Sequence, residues 1–489
     1  MVQVRKKTLD KATENVVSQA AAAGIPLAFD RYEDMSPVCR FGLMGLDCKA
    51  CTQGPCRVNP FDATNGTTCG RDRENIVASS FLRLVCDGAV ANATFAGAQG
   101  AAAGAIFEGI AAANEGMLPP AQLLAKAVAV AGAGYEALAG APTSGRSIEE
   151  IEVGLGALKA DKINVLMLGN IPAAQAEKIA KELAPNRKLN LVGATGAGAA
   201  GSPIAGNYGS EEALLVSTCV DGVIAGTACV SPGFLALAAR QGVPVMAADR
   251  FNEGDLLERA EAHFRVNQGR NLASKFPPAK AVVGFTSAAF SSVAGAQWSG
   301  LADLGVKGVA LIGGCNNAMA TQDGPAVRMA GEFLANGFLV IANGCAATGL
   351  AKAGYMDPAR AEALAGKKLP RFLNALSETL GSAVPAVLEA GSCWEIPAAM
   401  EMARYLAQKL NIPIAAAMPE LSRPAGWSSA LAVAAQGVPT YVGPVFMLDG
   451  GLQTVSTLNE QLKTKGGSLV GPAQAGDPEA FVNTIKADS

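Results

Sequence analysis

The stretch "KINVLMLGN" (Lys162–Asn170) marks a change in the character of the chain. It is a short apolar run, and it ends on Gly-Asn, the pattern of a strand buried on both faces. "PAAQAEKIAKELA" (172–184) follows with helical spacing, and "KLNLVGAT" (188–195) reads as a second strand. The alternation continues through "CVDGVIAGT" (219–227), the helix "GFLALAARQ" (233–241) and the strand "VPVMAAD" (243–249). Strand–helix–strand alternation predicts a parallel sheet with flanking helices.

Upstream, the chain reads as helical. "TLDKATENVVSQAAAAGI" (8–25) is helix-like and breaks at Gly24, before Pro26. "RDRENIVASSFLRLVCDGAVANATFAGAQGAAAGAIFEGIAAANEGM" (71–117) predicts one long or two shorter buried helices, and "PPAQLLAKAVAVAGAGYEALAG" another. Downstream, a charged helix and linker end at Pro277-Pro278. A second alternating block then includes "GVALIGGCNN", "GFLVIANGCAA", "AVPAVLEAGSCWE", "IPIAAAMPE" and "VPTYVGPV". The expected fold class is therefore α plus α/β. A helical N-terminal domain (1–160) precedes two Rossmann-like α/β domains with parallel sheets (161–277 and 278–489).

Composition narrows the function. Half of the residues are hydrophobic and 17% are charged, which excludes a disordered chain. The net charge of −3 has no basic concentration, which argues against nucleic acid as a partner. The Ala/Gly runs are interrupted by Glu108, Lys126 and Glu136, so no membrane span is expected, and the N-terminus carries no secretory pattern. A cytoplasmic location follows as an expectation. Eleven cysteines there point to metal ligands, buried thiols or catalytic groups rather than disulfides. The chain has one histidine, His263, in the charged helix outside every motif, read as a surface or packing residue.

The cysteines fall into patterns. In "CRFGLMGLDCKACTQGPCRVNP" (39–60), Cys48, Cys51 and Cys56 are followed by Cys69, four thiolates on a glycine-bearing segment. Zinc and iron–sulfur clusters both take such ligands, and the uneven spacing favours a 4Fe–4S cluster over paired zinc knuckles. Cys229, Cys315, Cys345 and Cys393 each follow a predicted strand, beside Gly or Ala. Ligand sites in open α/β sheets lie beyond the carboxyl ends of strands, so these four are expected to converge on a metal.

These motifs resemble the nickel–iron carbon monoxide dehydrogenases, in a wider superfamily with the hybrid-cluster proteins. The resemblance rests on the cluster segment with its Gly54-Pro55-Cys56-Arg57 run, and on "DGVIAGTACVSP", "GGCNNA", "NGCAATGLAKAG" and "EAGSCWE" in the family's order. It implies that Cys48, Cys51, Cys56 and Cys69 hold an electron-relay 4Fe–4S cluster. Cys229, Cys315, Cys345 and Cys393 would hold an active-site-like cluster. Cys39 resembles one of two cysteines of an intersubunit cluster, and Asp47 stands where the other would be. A homodimer, a ferredoxin-like electron carrier and a small-molecule substrate are implied as partners.

The departures from the family are equally specific. Asn170 in "LGNIP" occupies the place of a histidine ligand, and Ala194-Thr195-Gly196 that of a cysteine ligand. The family's catalytic histidines and lysine have no counterpart, with Arg423 the cation offered in "MPELSRPAGWSS". The expected second cofactor is thus an Fe–S or Fe–S–O cluster, and the departures tell against nickel. The resulting expectation is an iron–sulfur oxidoreductase that is not an ordinary CO oxidiser. Hydroxylamine reductase-like chemistry and a non-catalytic electron-transfer or sensing role stand as alternatives. Gly196-x-Gly198-x-x-Gly201 with Asp221 matches a dinucleotide fingerprint, but Ser202-Pro203 falls where its helix should run, so NAD(P) is not expected.

Overall fold

The computed structural model describes residues 5–487 other than 60, 63–65, 116–117, 144, 197–200, 268–274 and 292. The chain packs as two compact units, each drawn from separate segments. One comprises residues 1–34 and 142–414, the other residues 35–141 and 415–489. This grouping follows packing, whereas the sequence division at 160 and 277 follows pattern.

The first unit is built on a seven-stranded sheet. Its strand order is Val245–Ala247, Gly222–Ala225, Ile163–Leu168, Leu189–Ala194, Ile204–Gly206, Glu149–Val153 and Ala279–Val283. All neighbours are parallel except the last pair, which is antiparallel. Two expectations change here. Glu149–Val153 is a strand inside the region read as helical, and the sheet is parallel only up to that edge. The edge pairing is antiparallel because Ala279–Val283 runs back along Glu149–Val153 over all five residues.

Alternation within Ile163–Leu168 accounts for its all-apolar reading. Leu166 and Leu168 enter one buried cluster with Val192 and Val223, while Ile163, Val165 and Met167 enter another with Ile179 and Leu256. Successive side chains point to opposite faces, and helices cover both. In sheet order, chain progression reverses between Ile163–Leu168 and Gly222–Ala225. That is a topological switch point, where crevices open beyond the strand ends. The same unit holds a second parallel run, Gly308–Ile312 beside Phe338–Ala342 beside Val387–Glu389.

The second unit is mainly helical. The region read as one or two helices forms two, Arg73–Phe95 and Gln99–Glu115, and Pro120–Ala139 is a third. Pro424–Ala435 packs with them, and strands Ile414–Met418, Pro439–Val442 and Ser468–Val470 run parallel. Phe81, Trp427 and Phe446 form an aromatic centre, with Trp427 and Phe446 stacked at 6.0 Å. Among the described residues, Arg73–Phe95 alone is long and apolar enough to cross a membrane, and 67% of its apolar window is buried in the protein.

Candidate metal centres

The first centre lies in the second unit. Asp47–Cys48 pairs antiparallel with Cys56–Arg57, which sets Cys48 directly opposite Cys56. The turn between them needs Gly54: a Cβ there would stand 2.9 Å from the Cys56 nitrogen and 3.0 Å from the Cys48 carbonyl oxygen. Cys48 is buried against Val58 and Ile76, Cys56 is half-buried, and Cys51 and Cys69 are exposed.

Arg71 ties the segment together. Its Nη1 donates to the Ala113 carbonyl (3.2 Å) and stands 4.0 Å from Cys48 Sγ. The Thr67 hydroxyl contacts Cys69 Sγ at 3.2 Å. That hydrogen bond, with the Arg71 backbone N–H and the Arg71 charge, holds the Cys69 thiol below its ordinary pKa. The Thr68 hydroxyl lies 3.6 Å from Cys56 Sγ. Hydrogen bonds and a cation around thiols favour thiolate, the ligand form.

Cys39 is exposed at the start of helix Arg40–Leu43. The Gly42 N–H, then that of Phe41, lowers its thiol pKa. Asp47 pairs instead with Lys49, at 3.1 Å.

The second centre lies in the first unit. Gly308–Ile312, Phe338–Ala342 and Val387–Glu389 are in register, with Ile312 beside Ala342 and Ala342 beside Glu389. Their carboxyl ends therefore coincide. Cys315 and Cys345 follow three residues beyond two of these ends, and Cys393 four beyond the third. Cys229 comes from the other sheet, four residues beyond Ala225 and next to the switch point.

The four thiols are electrostatic neighbours. Burial, then the charges of Cys315, Cys229 and Asp323, push the Cys345 thiol well up, against a hydrogen bond from the Tyr208 N–H. Burial, then Cys229, Cys345 and Cys315, does the same to Cys393. The structure thus places Cys229, Cys315, Cys345 and Cys393 within electrostatic reach of one another. Thiols held in the protonated form by burial and by neighbouring cysteines, as Cys345 and Cys393 are, suit a cationic metal group, which takes their protons' place. Among the described residues, no three His, Cys, Asp or Glu side chains are close enough to hold one metal ion. A cubane presents its irons at separate corners, so its thiolates need not share one coordination sphere.

The positions that the resemblance gives as departures lie on loops that touch those of Cys229 and Cys393. Leu168 is level with both Ala194 and Ala225, so the loops beginning at Gly169, Thr195 and Gly226 leave the sheet side by side. The Asn170 N–H donates to the Ala228 carbonyl at 2.8 Å, and Asn170 O accepts from Thr227 at 3.2 Å. Gly226 makes that crossing feasible, since a Cβ there would stand 2.0 Å from Asn170 O. Gly196 lies beside Cys393, whose Sγ would be 3.6 Å from an added Cβ. Thr195 and Cys229 both have positive φ, 54° and 58°, a strained region for β-branched threonine.

Pattern reading missed the buried network behind Cys345. Asp323 Oδ1 accepts from Asn207 Nδ2 (2.8 Å) and Asn316 Nδ2 (3.0 Å), and Asn207 Nδ2 also reaches the Cys345 carbonyl (3.1 Å). Only the "CNN" run at 315–317 hinted at polar residues there.

The dinucleotide fingerprint finds no support. Gly198 lies outside the described residues, and Gly201 leads into the strand Ile204–Gly206 rather than a helix. Asp221 is buried and accepts from the Asn164 N–H at 2.9 Å. Its other oxygen lies 3.2 Å from His263 Nδ1, which makes His263 a packing residue. Cys86 and Cys219 are core thiols.

A model of the Prismane/CO dehydrogenase family matches residues 115–475. Carbon monoxide dehydrogenase 1 of Carboxydothermus hydrogenoformans is 25% identical over 599 aligned positions, covering 94% of each chain. Carbon monoxide dehydrogenase 2 of that organism is 25% identical over 626, covering 100% of this chain and 98% of the relative. Among solved structures, carbon monoxide dehydrogenase IV from Carboxydothermus hydrogenoformans superposes with a TM-score of 0.85 over 99% of both chains. At 24% identity that likeness speaks for the fold alone. With most of its length matched by the family model, this chain belongs to the Prismane/CO dehydrogenase family.

Proposed function

We propose that the chain is an iron–sulfur oxidoreductase with two clusters on a carbon monoxide dehydrogenase scaffold. Cys48, Cys51, Cys56 and Cys69 would hold a relay 4Fe–4S cluster. Cys229, Cys315, Cys345 and Cys393 would hold an atypical Fe–S or Fe–S–O cluster. Bound there, such groups supply one-electron redox chemistry. The observation that carries the reading is that four cysteines, each following a strand end, influence one another's thiols, with Asn170 and Ala194-Thr195-Gly196 where the family resemblance calls for His and Cys.

The protein's own residues have definable tasks. Arg71, Thr67 and Thr68 favour thiolate at the relay loop. The Tyr208 N–H favours it at Cys345, and the Asp323 network holds the loop that carries Cys315. Ligand number and type select the metal, and loss of the imidazole and one thiolate disfavours nickel. A small-molecule substrate, a ferredoxin-like carrier, a homodimer and a cytoplasmic setting complete the proposal. Cys39 and Asp47, the latter paired with the exposed Lys49, stand in the proposal as the place of an intersubunit cluster.

Iron, nickel, zinc and acid-labile sulfide analysis of anaerobically purified protein, with EPR, tests this. On the order of eight irons per chain and two distinguishable reduced signals are expected. About four irons or fewer, or stoichiometric zinc, defeats the two-cluster reading. CO oxidation with a viologen acceptor, restored by nickel, would return the chain to the ordinary dehydrogenases.

A further inference from the structure

Residues 5–9 run along residues 318–322, the segment that follows Cys315. Arg5 Nη1 donates to the Met319 carbonyl at 2.7 Å, and Arg5 Nη2 to the Ala318 carbonyl at 2.5 Å. The Thr321 hydroxyl donates to Lys6 O at 2.8 Å. The Gln322 N–H donates to Lys7 O at 3.0 Å, and the Leu9 N–H to Gln322 O at 3.2 Å, a parallel bridge between Thr8 and Gln322. Thr8 and Gln322 are 0% and 1% exposed, whereas Lys6 and Leu9 are exposed. The segment is thus bonded down along one side and open to solvent along the other. Lys7 pairs with Asp30 and, at 3.5 Å, with Glu33, and the Arg5 guanidinium lies 5.1 Å from the Tyr32 ring centroid.

Residues 313–323 form neither helix nor strand. Such a loop has no ladder of its own, so its position depends on what its polar groups are bonded to. Inward, Gln322 Nε2 donates to Asn207 Oδ1 at 2.6 Å, and Asn207 Nδ2 reaches the Cys345 carbonyl at 3.1 Å. Outward, its bonds go to residues 5–9. Cys229 and Cys345 are buried, but Cys315 and residues 317–321 are half-buried, so this loop is a part of the centre's wall that solvent reaches. A segment held by few bonds and open on one side detaches at a smaller free energy than global unfolding.

We propose that residues 5–9 are a strap that must detach from residues 318–322 before the Cys315 loop opens to admit or release metal at the four-thiol centre. The strap rests on the reading that Cys229, Cys315, Cys345 and Cys393 hold a metal cluster.

The test follows two rates in the full-length protein under anaerobic conditions. One is alkylation of Cys315 in the metal-free form, read by peptide mass spectrometry with the core thiol Cys86 as the internal check on folding. The other is loss of iron from each cluster to a chelator in the loaded form, read by EPR. The variant Arg5→Ala with Thr321→Val removes three hydrogen bonds from the strap without touching a cysteine. It should speed both Cys315 labelling and iron release from the four-thiol centre about 10-fold or more, with release from the relay cluster and Cys86 labelling unchanged. Deletion of residues 2–9 should speed both further. Lys6→Ala, which keeps the main-chain oxygen that accepts from Thr321, should behave like the wild type. Unchanged rates in both strap variants overturn the strap, as does faster labelling without faster release. Equal acceleration at both clusters, or at Cys86, also overturns it, since that is global destabilisation. A wild type with a single cluster overturns the underlying reading, and Cys315 labelling then still decides whether the strap controls the loop.

Discussion

Lys352 Nζ lies 2.7 Å from Asp323 Oδ2, and both side chains are almost wholly buried, at 4% and 3% exposure. Because Asp323 Oδ1 also accepts from Asn207 and Asn316, this ion pair anchors both the Cys345 and the Cys315 loops. Breaking a buried pair leaves one charge uncompensated in a medium that cannot solvate it. Asp323→Asn should therefore cost about 3–5 kcal/mol in denaturant unfolding and lower the iron content. A variant of wild-type stability would show that Lys352 finds another partner.

Arg71 stands 4.0 Å from Cys48 Sγ and also donates to two backbone carbonyls, those of Ala113 and Asn114. Its positive charge favours the reduced, more negative state of a cluster at that thiolate. Arg71→Met should shift the relay potential to more negative values and cost roughly 1–3 kcal/mol through the Asn114 carbonyl, since the Ala113 carbonyl keeps its hydrogen bond from Arg83. Redox titration by EPR measures the first effect. An unchanged or more positive potential would remove Arg71 from the electrostatics of the site.

Gly226 admits Asn170 O where a Cβ would stand 2.0 Å away. Gly226→Ala must separate the Asn170 and Cys229 loops, at about 1–3 kcal/mol for an overpacked contact. Iron analysis should show loss from the four-thiol centre, with the relay signal retained. Loss of both signals would point to global unfolding instead.

The paired strands around Cys48 and Cys56 are two residues each, too short to be stable without further support. Bound metal should supply it. Chelation of iron should speed hydrogen exchange at Val58, whose N–H donates to Leu46 O (3.1 Å), and leave the strand Ile163–Leu168 protected. Equal protection before and after chelation would show that the loop holds its shape alone.

Burial, with Asp87 nearby, pushes the Cys86 thiol up to about 12. In the unfolded chain it ionises near ~8.5. The folded state thus favours the neutral thiol, and that stabilisation is full below ~8.5 and is lost as pH rises toward about 12. Cys86→Ala should flatten the alkaline decline in stability. Mass spectrometry of alkylated native protein should find Cys86 unlabelled at neutral pH, and rapid labelling there would contradict its burial.

Most of the strand and helix order was legible because apolar runs and breakers are local signals. "KINVLMLGN" reads as a buried strand, and its alternate residues do enter two different cores. Glu149–Val153 was not legible: three of its five residues, "EEIEV", are charged, and its antiparallel partner lies on the order of 130 residues away. The Asp323 network was invisible for the same reason, since Asn207 and Lys352 come from segments distant from the loop that carries Asn316 and Asp323.

The sequence by itself determined the candidate ligand inventory: which cysteines follow strands, their spacing around Gly54, and the residues Asn170 and Ala194-Thr195-Gly196 where the resemblance calls for ligands. Those are properties of residue type and order. Only the tertiary structure decided that the ends of Gly308–Ile312, Phe338–Ala342 and Val387–Glu389 coincide, that the Asn170 and Cys229 loops cross at a glycine, and that Asn170, Thr195 and Asn343 carry buried oxygen atoms without hydrogen-bond partners among the described residues. Register and burial are set by non-local packing, and a hydrogen bond left unmade becomes visible only once the surrounding chain is in place.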